Sequence, residues 1–317
     1  MILVISHEQD PHADRVIRHL REAGQEVFLF NLTELPDRAT LTIDYNCCGK
    51  PRIEVSRSSG ETFALDEVRS VWWRRPQVPD LSSVTDPNVN LFTANEWNEA
   101  INGLWQLLDA RWMNDPVRDD AASRKARQLR LAAEVGLKTP RTLITSDPAR
   151  AKAFIHQLGV ENTIYKTFSC THAVWRETRL LHPEDLAQID TVRIAPVIFQ
   201  EFIPAESDLR ITHVDGRLYT AAIRSAPNTG SIDFRPSVGA AAMDAEELPV
   251  DVADKLRALI QRLGLVYGAI DVRRTPGGEY FFFEVNTAGE FLFVEERTNL
   301  PISAAIAAWL SGAPIPA

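Results

Sequence analysis

The stretch Ala269-Ile270-Asp271-Val272-Arg273-Arg274-Thr275-Pro276-Gly277-Gly278-Glu279-Tyr280-Phe281-Phe282-Phe283-Glu284-Val285-Asn286 reads as a β-hairpin, two largely apolar runs separated by turn-forming residues. With Gly277-Gly278 as a two-residue turn, Pro276 pairs with Glu279 and Asp271 falls directly opposite Glu284. Their Cβ atoms then stand about 4.5–5.5 Å apart on one face. Asn286 is two residues past Glu284, and the alternation of a strand puts it on that same face. The neighbours Ala269, Ile270, Val272, Phe281, Phe282, Phe283 and Val285 are apolar. Two like charges this close are costly unless something cationic lies between them, and no lysine is near in sequence. A divalent metal is the simplest answer. Two carboxylates and an amide, oxygen donors only, suit magnesium held partly by phosphate oxygens better than zinc. The competing reading is a solvated edge hairpin with incidental acidic residues, against which three aligned oxygen ligands in apolar surroundings weigh.

A metal shared with phosphate requires cations elsewhere. Of the 34 basic residues only six are lysine, so each lysine is informative. Lys125 sits early in a predicted helix, in Ser123-Arg124-Lys125-Ala126-Arg127. Lys166 ends the predicted strand Thr163–Lys166, and Thr167, Ser169 and Thr171 follow it as hydroxyl donors. Either lysine, taken alone, reads equally as a surface residue with a packed stem. Phe199-Gln200-Glu201-Phe202-Ile203-Pro204 is an apolar strand leaving through a polar pair into a Pro-terminated linker, where backbone groups are free for an adenine edge. Asp208 follows, placed for a ribose hydroxyl.

Moving outward, the chain opens with a strand at Ile2–Ser6, a helix over Pro11–Ala23 stopped by Gly24, and a strand at Glu26–Phe30. This βαβ start resembles a nucleotide-binding half-domain, but no GxGxxG joins strand to helix. A hairpin follows, Leu41–Tyr45 with Arg52–Val55, its turn at Cys48-Gly49-Lys50-Pro51. The strand Val71–Arg75 ends at Pro76, and the stretch from Val78 to Asn90 reads as a surface loop. A helix over Thr93–Asp109 carries Trp97, Ile101, Leu104, Trp105 and Leu108 on one face, which is core packing rather than a cofactor stack. Trp112-Met113-Asn114 is a short strand broken by Asp115-Pro116. Beyond it we expect a helix over Ala121–Val135, a strand within Lys138–Ile144, a helix over Pro148–Leu158 and the Thr163–Lys166 strand. A strand at Pro196–Phe199, a helix over Val252–Leu263 and a last helix from Pro301 complete the series. The organisation is three-part α+β, with domains at 1–117, 118–198 and 199–317.

The composition, 45% hydrophobic and 24% charged over 317 residues, is that of an ordinary globular protein. A net charge of -9 argues against a phosphate-backbone binder, and no run approaches the roughly 20 apolar residues of a membrane span. The start has no signal-peptide pattern, and Cys47, Cys48 and Cys170 form no spaced disulfide framework, so a cytoplasmic home is expected.

The ordered set Lys125, Lys166, Gln200-Glu201-Phe202-Ile203, Asp208-Leu209-Arg210, Asp271 and Glu284-Val285-Asn286 resembles the ATP-grasp superfamily over about residues 118–317, in its ribosomal-protein glutamate-ligase-like branch. The resemblance implies an N-terminal pre-ATP-grasp domain followed by two α+β subdomains that clamp ATP. It places both lysines on the phosphates, residues 200–203 on adenine, Asp208 on ribose, and Asp271, Glu284 and Asn286 on Mg2+. A narrower resemblance, to the graspetide (microviridin-type) peptide macrocyclases, rests on Val71-Trp72-Trp73-Arg74-Arg75-Pro76, Trp112-Met113-Asn114-Asp115-Pro116, Leu137-Lys138-Thr139-Pro140-Arg141-Thr142, Asp233-Phe234-Arg235 and Glu284–Phe291. Two departures stand out. The family tail more often reads Asn-Pro-Asn-Gly-Gln-Trp, where Asn286 is followed here by Thr287-Ala288-Gly289-Glu290-Phe291, and the loop after Lys166 lacks glycines.

The chemistry implied is attack of a carboxylate on the γ-phosphate of ATP, with the acyl phosphate captured by a hydroxyl or an amine. Arg210, Arg224 and Arg235 are then candidates for holding the carboxylate or acyl phosphate, with ordinary surface ion pairs as the alternative. The first substrate reading is a ribosomally made precursor peptide, recognised through a leader segment and cross-linked between side chains in its core. The second is a free amino acid or small amine joined to a carboxylate. The third is a non-catalytic, ATP-dependent peptide-binding module. The partners expected are the precursor peptide and a second copy of the chain, as a homodimer, with no nucleic acid and no membrane.

Overall fold

A four-residue apolar run with no polar interruption suits a strand covered on both faces. In the computed structural model, which describes residues 1–45, 49–168, 178–224 and 241–316, Ile2–Ile5 is such a strand (β1) and is essentially inaccessible. Asp10 caps the next helix by accepting from His12 N, and Pro11 opens α1 (Pro11–Glu22). Strand β2 (Val27–Phe30) returns beside β1. Strands β3 (Ala39–Asp44), β4 (Arg52–Arg57) and β5 (Thr62–Ala64) form a separate antiparallel sheet. The third of these was not foreseen, and Cys48 of the expected turn lies outside the described residues, as do Cys47 and Cys170. Strand β6 (Ser70–Trp73) joins the other edge of β1, and helix α2 (Pro87–Leu107) leads to β7 (Arg111–Met113). The four-stranded sheet β2-β1-β6-β7 is parallel throughout.

Helix α2 begins six residues before the expected Thr93, because Asp86 accepts from Asn88 N and Val89 N while Pro87 takes the first helical position. Its stripe does pack the core. Ile101, Leu104, Trp105 and Leu108 are buried, and Trp105 meets Trp73 and Trp112 edge-on. The helix expected over Ala121–Val135 is two helices, α3 (Pro116–Ser123) and α4 (Lys125–Glu134), broken by the extended backbone of Arg124.

Strand β8 (Thr142–Thr145), helix α5 (Pro148–Leu158), β9 (Thr163–Lys166), β10 (Arg179–Leu180), a 3-10 segment over Pro183–Arg193 and β11 (Val197–Glu201) follow. Their antiparallel sheet runs β10-β9-β11-β8. Then come β12 (Ser207–Val214), β13 (Arg217–Arg224), β14 (Ala242–Ala245), α6 (Val250–Leu263), β15 (Tyr267–Arg274) and β16 (Tyr280–Asn286). They build the antiparallel sheet β14-β13-β12-β15-β16, on which α3, α4 and α6 pack through Ala122, Leu131, Leu256, Leu259 and Ile260. Two helices close the chain, α7 (Leu292–Thr298), which was not foreseen, and α8 (Ile302–Ser311).

Helix α8 packs back on the start of the chain. Ile302, Ile306 and Leu310 share one core with Ile2, Val4, Val16, Leu20 and Trp72, and with Val214, Tyr219 and Tyr267 of the five-stranded sheet. Asn114, just past β7, adds a polar weld. Its Oδ1 accepts from Val266 N and Tyr267 N at 2.8 and 2.9 Å, and its Nδ2 donates to Tyr267 O at 3.0 Å. No helix among the described residues is long and apolar enough to cross a membrane.

Strands β12 and β13 are joined by Asp215-Gly216, both at positive φ (44° and 87°), the two-residue turn whose twist matches a hairpin. His213 locks it: Gly216 N donates to Nε2 at 2.8 Å, so Nδ1 carries the proton and donates to Val266 O at 3.0 Å. Burial holds His213 neutral, its pKa lowered to about 4. The unfolded chain takes up that proton near pH 6.5, so the contribution is present above 6.5 and is lost as pH falls toward 4. We predict that stability drops by about 2 kcal/mol from this group between pH 7 and pH 5. Urea midpoints measured across that range should fall more steeply for the wild-type chain than for His213→Gln.

Candidate functional site

The pairing of Asp271 with Glu284 and of Ala269 with Asn286 is present in the structure, by a route more complex than a two-residue turn. The loop has three residues, Pro276-Gly277-Gly278. It is closed by Thr275 N donating to Glu279 O at 2.9 Å, with Gly278 at a φ of +77°. That loop moves the pairs nearest it by one position, to Arg274 with Tyr280, Arg273 with Phe281 and Val272 with Phe282. A bulge, with Phe283 as the extra residue, restores the register before Asp271. Without it Asp271 would face Phe283, and Glu284 would project from the other face.

Helix α4 covers the open edge of β16. The carboxamide of Gln128 accepts from Val285 N at 2.9 Å and donates to Val285 O at 2.8 Å, replacing a missing strand. Lys125 lies three residues earlier on that helix, hence on the same side. Its ammonium donates to Glu284 Oε2. From the other side Arg210, opposite Asp271 in the register of β12 and β15, donates through Nη1 to Asp271 Oδ1 at 2.8 Å. Asn286 Nδ2 donates to Asp271 Oδ2 at 3.1 Å. The charge balance that the sequence assigned to a metal is therefore met in part by two cations remote in sequence. Burial alone would depress the ionisation of Arg210, but Asp271 more than offsets it and its pKa is raised.

Of these groups Lys125, Gln128, Arg210, Asp271 and Asn286 border a cleft of about 690 Å3, whose walls also include Gly289, Glu290 and, from the N-terminal region, Arg75. Arg75 Nη2 donates to Glu290 Oε1 at 2.9 Å. Burial pushes the Glu290 carboxyl up, but Arg75 pulls it further down, and it sits below the ordinary carboxylate range. Gly289 admits no side chain: a Cβ there would lie 2.3 Å from Ala269 Cβ and 2.8 Å from Arg210 Nη2.

The other expected residues stand elsewhere. Lys166 ends β9 opposite Ile198, and Phe168, two residues on, reaches the cleft wall. Gln200 is buried, its Nε2 donating to Thr142 Oγ1 at 2.8 Å. As the chain leaves β11, Glu201 N donates to Arg141 O and Phe202 N to Asn162 O, so these two donors are engaged within the protein. Ile203 O accepts from Arg273 Nη1 at 2.9 Å, and the same guanidinium holds both oxygens of Asp208, at 2.7 and 3.0 Å. Arg224 ends β13 with its side chain 43% exposed, donating to Asp244 and Glu246, and does not border the cleft. Arg235, like Ser169, Thr171, Asp233 and Phe234, lies outside the described residues. The contributions of Gln128 and Arg75 escaped the sequence reading. The only signal was the Trp-Trp-Arg-Arg motif, and nothing local says what its arginines touch.

Residues 1–120 match the MvdD pre-ATP-grasp domain, and residues 122–310 match the RimK-like ATP-grasp domain. No curated protein matches the chain. Among solved structures, the macrocyclase MdnC of Microcystis aeruginosa MRC, bound with precursor peptide MdnA, superposes with a TM-score of 0.88 at 28% identity, covering 98% of this chain and 99% of its own. A RiPP-associated ATP-grasp ligase of Chryseobacterium gregarium, in complex with ADP and a leader and core peptide, gives 0.88 at 27% identity, with 99% and 97% covered. The macrocyclase MdnB of Microcystis aeruginosa MRC gives 0.84 at 31% identity, with 98% of each chain covered.

The two carboxylates and two cations make a testable unit. Lys125→Met leaves the part-buried Glu284 beside Asp271 with one cation fewer, and should cost about 2–4 kcal/mol of stability. Lys125→Met combined with Glu284→Gln should recover most of that loss. A double-mutant cycle from denaturant melts reads the coupling, and additive losses would show that the pair is only a surface contact.

Proposed function

Because the chain belongs to the RimK-like ATP-grasp family of ligases, we propose that it uses Mg-ATP to activate side-chain carboxylates of a ribosomally made precursor peptide and joins them to hydroxyl or amine side chains. The observation that carries this reading is the convergence of Asp271, Asn286, Lys125 and Arg210 at one cleft, with Glu284 opposite Asp271 and paired with Lys125. It stands in a chain that matches peptide macrocyclases over nearly its full length.

The residues fit the groups proposed. Two carboxylates and an amide oxygen form a hard, oxygen-only donor set, suited to magnesium that completes its shell with phosphate and water. Among the described residues no cluster of three or more His, Cys, Asp or Glu side chains would hold a metal unaided, which accords with a site that needs nucleotide. Magnesium, when bound, neutralises the phosphate oxygens as charge moves from the γ-phosphoryl to ADP. Lys125 and Lys166 bind phosphate, residues 200–203 frame adenine, and Asp208, steadied by Arg273, faces ribose. Lys125 is paired with Glu284 in the structure and would turn to phosphate with nucleotide bound, leaving Glu284 as one of the residues that would hold the metal.

The peptide carboxylate attacks the γ-phosphorus, ADP leaves, and an acyl phosphate forms. A hydroxyl or amine of the same peptide then attacks the acyl carbon, phosphate leaves, and the nucleophile gives up its proton to solvent. No strong base is required, because the demand is for charge neutralisation and orientation. Arg210 borders the cleft beside Asp271, where it would orient the carboxylate, whereas Arg224 does not border the cleft. Arg224 and Arg235 are proposed for the acyl phosphate and the peptide. Affinity for a flexible core comes from a separate leader segment that raises the core's effective concentration. A homodimer and a cytoplasmic setting belong to the same reading.

Incubation with a candidate precursor and Mg-ATP should yield product lighter by one water per bond, measured by mass spectrometry. Glu284→Gln should lower that rate by about 100-fold, equivalent to about 2.7 kcal/mol, with the fold retained by circular dichroism. Deleting the leader should strongly reduce cross-linking, and supplying it in trans should restore part of the rate. A gain in mass with a free amino acid as co-substrate would replace the peptide reading with small-molecule ligation.

A further inference from the structure

The backbone from Ala288 to Leu292, part of which forms the cleft wall, is held by side chains as well as by the backbone bonds Gly289 N to Asn286 O and Val294 N and Glu295 N to Phe291 O. Arg74 Nη1 donates to Ala288 O and to Gly289 O, at 2.5 and 2.9 Å. Tyr267 OH donates to Gly289 O at 2.7 Å, and Arg210 Nη2 to Glu290 O at 2.9 Å. His12 Nδ1 accepts from Phe291 N and Leu292 N, each at 3.4 Å. Two of these four residues, Arg74 and His12, come from the N-terminal sheet and its first helix.

Arg74 is fully buried, as is Asp10, whose Oδ2 accepts from Arg74 Nε at 3.1 Å and from Ser6 Oγ at 2.9 Å. Among the described residues Arg74 Nη2 has no hydrogen-bond partner. A buried guanidinium with one donor unsatisfied is a poor device for stability, since an apolar pair of similar volume would serve as well or better. It is a good device for setting the position of two carbonyls. The position matters because Gly289 lies against Arg210 and Asn286, with no room for even a methyl group. A small displacement of this loop therefore moves an amide and a guanidinium that both border the cleft.

We propose that Arg74, braced by Asp10, is a positioning residue for the ligation site: it touches neither nucleotide nor peptide, but sets the Ala288-Gly289 backbone against which Asn286 and Arg210 are aligned. The inference rests on the function proposed above. It also gives the N-terminal domain a part in the chemistry that peptide docking alone would not require.

The test compares wild type with Arg74→Lys, which keeps the charge and loses the fork, and with Asp10→Asn, which keeps the volume and releases Arg74 Nε. For folded, purified protein, kcat for cross-linking should fall about 10- to 100-fold in Arg74→Lys, the order expected for misalignment near 1 Å. It should fall by less in Asp10→Asn. The magnesium concentration for half-maximal rate should rise in both, while ADP affinity measured by calorimetry stays within about threefold. A merely structural role lowers the melting temperature and the folded fraction but leaves kcat per folded molecule and the magnesium requirement unchanged, and that result in both variants overturns the proposal. If Arg74→Lys does not fold, Asp10→Asn decides it on the same readouts. No product from the wild-type enzyme with any precursor would sink the proposed function instead, so the two failures are distinct.

Discussion

Two carboxylates facing each other across a hairpin, in a mostly apolar sheet, set the terms for everything around them. Like charges at cross-strand distance repel strongly when water is scarce, and the repulsion is relieved only by cations brought in from elsewhere. The chain brings Lys125 from a helix 159 residues upstream and Arg210 from the neighbouring strand. To deliver Lys125, helix α4 has to lie along the edge of β16, and Gln128 holds it there by imitating a strand. To deliver Arg210, β12 has to pair with β15 in a register that puts Arg210 opposite Asp271. On the function proposed above, a site that would accept a metal and a polyanion in place of part of this balance is already arranged for exchange of charge, which phosphoryl transfer demands.

Much of this was legible in the residues because the signals are local. Alternation of apolar positions, glycine stops and the Gly277-Gly278 turn located most strands and helices, and the opposition of Asp271 and Glu284 followed from counting back from that turn. That count succeeded through two compensating departures. The loop is one residue longer than a tight turn, and the bulge at Phe283 takes up the difference. Local chemistry that was passed over accounts for the early start of α2, where Asp86 and Pro87 make a standard helix opening. The break at Arg124 has no comparable sequence signal, since arginine is a good helix former and tertiary packing decides the matter.

What could not be read were contacts between residues far apart in the chain. Arg74 and Arg75 are adjacent in sequence, yet one is sealed in the interior against Ala288 and Gly289 while the other reaches Glu290 at the cleft. Only the direction in which each side chain leaves the backbone just past β6 separates them, and only the fold says what lies there. Asp208 shows the same limit. Its spacing from the β11 linker suggested a ribose partner, whereas its bidentate pairing with Arg273 appears only once β12 and β15 are side by side.

The core shared by α8 and the N-terminal sheet ties together elements that lie about 300 residues apart in sequence. On the ribosome, β1, α1, β2 and β6 emerge before α8 and can pair, but the face made by Ile2, Val4 and Trp72, covered in part by Val16 and Leu20 of α1, is not completed until Ile302, Ile306 and Leu310 arrive. Until then the nascent chain carries a partly exposed apolar sheet face, a state prone to wrong association. A pre-ATP-grasp segment expressed by itself inherits that exposed face permanently. Its solubility is then set by a helix that lies almost 200 residues beyond its own last strand.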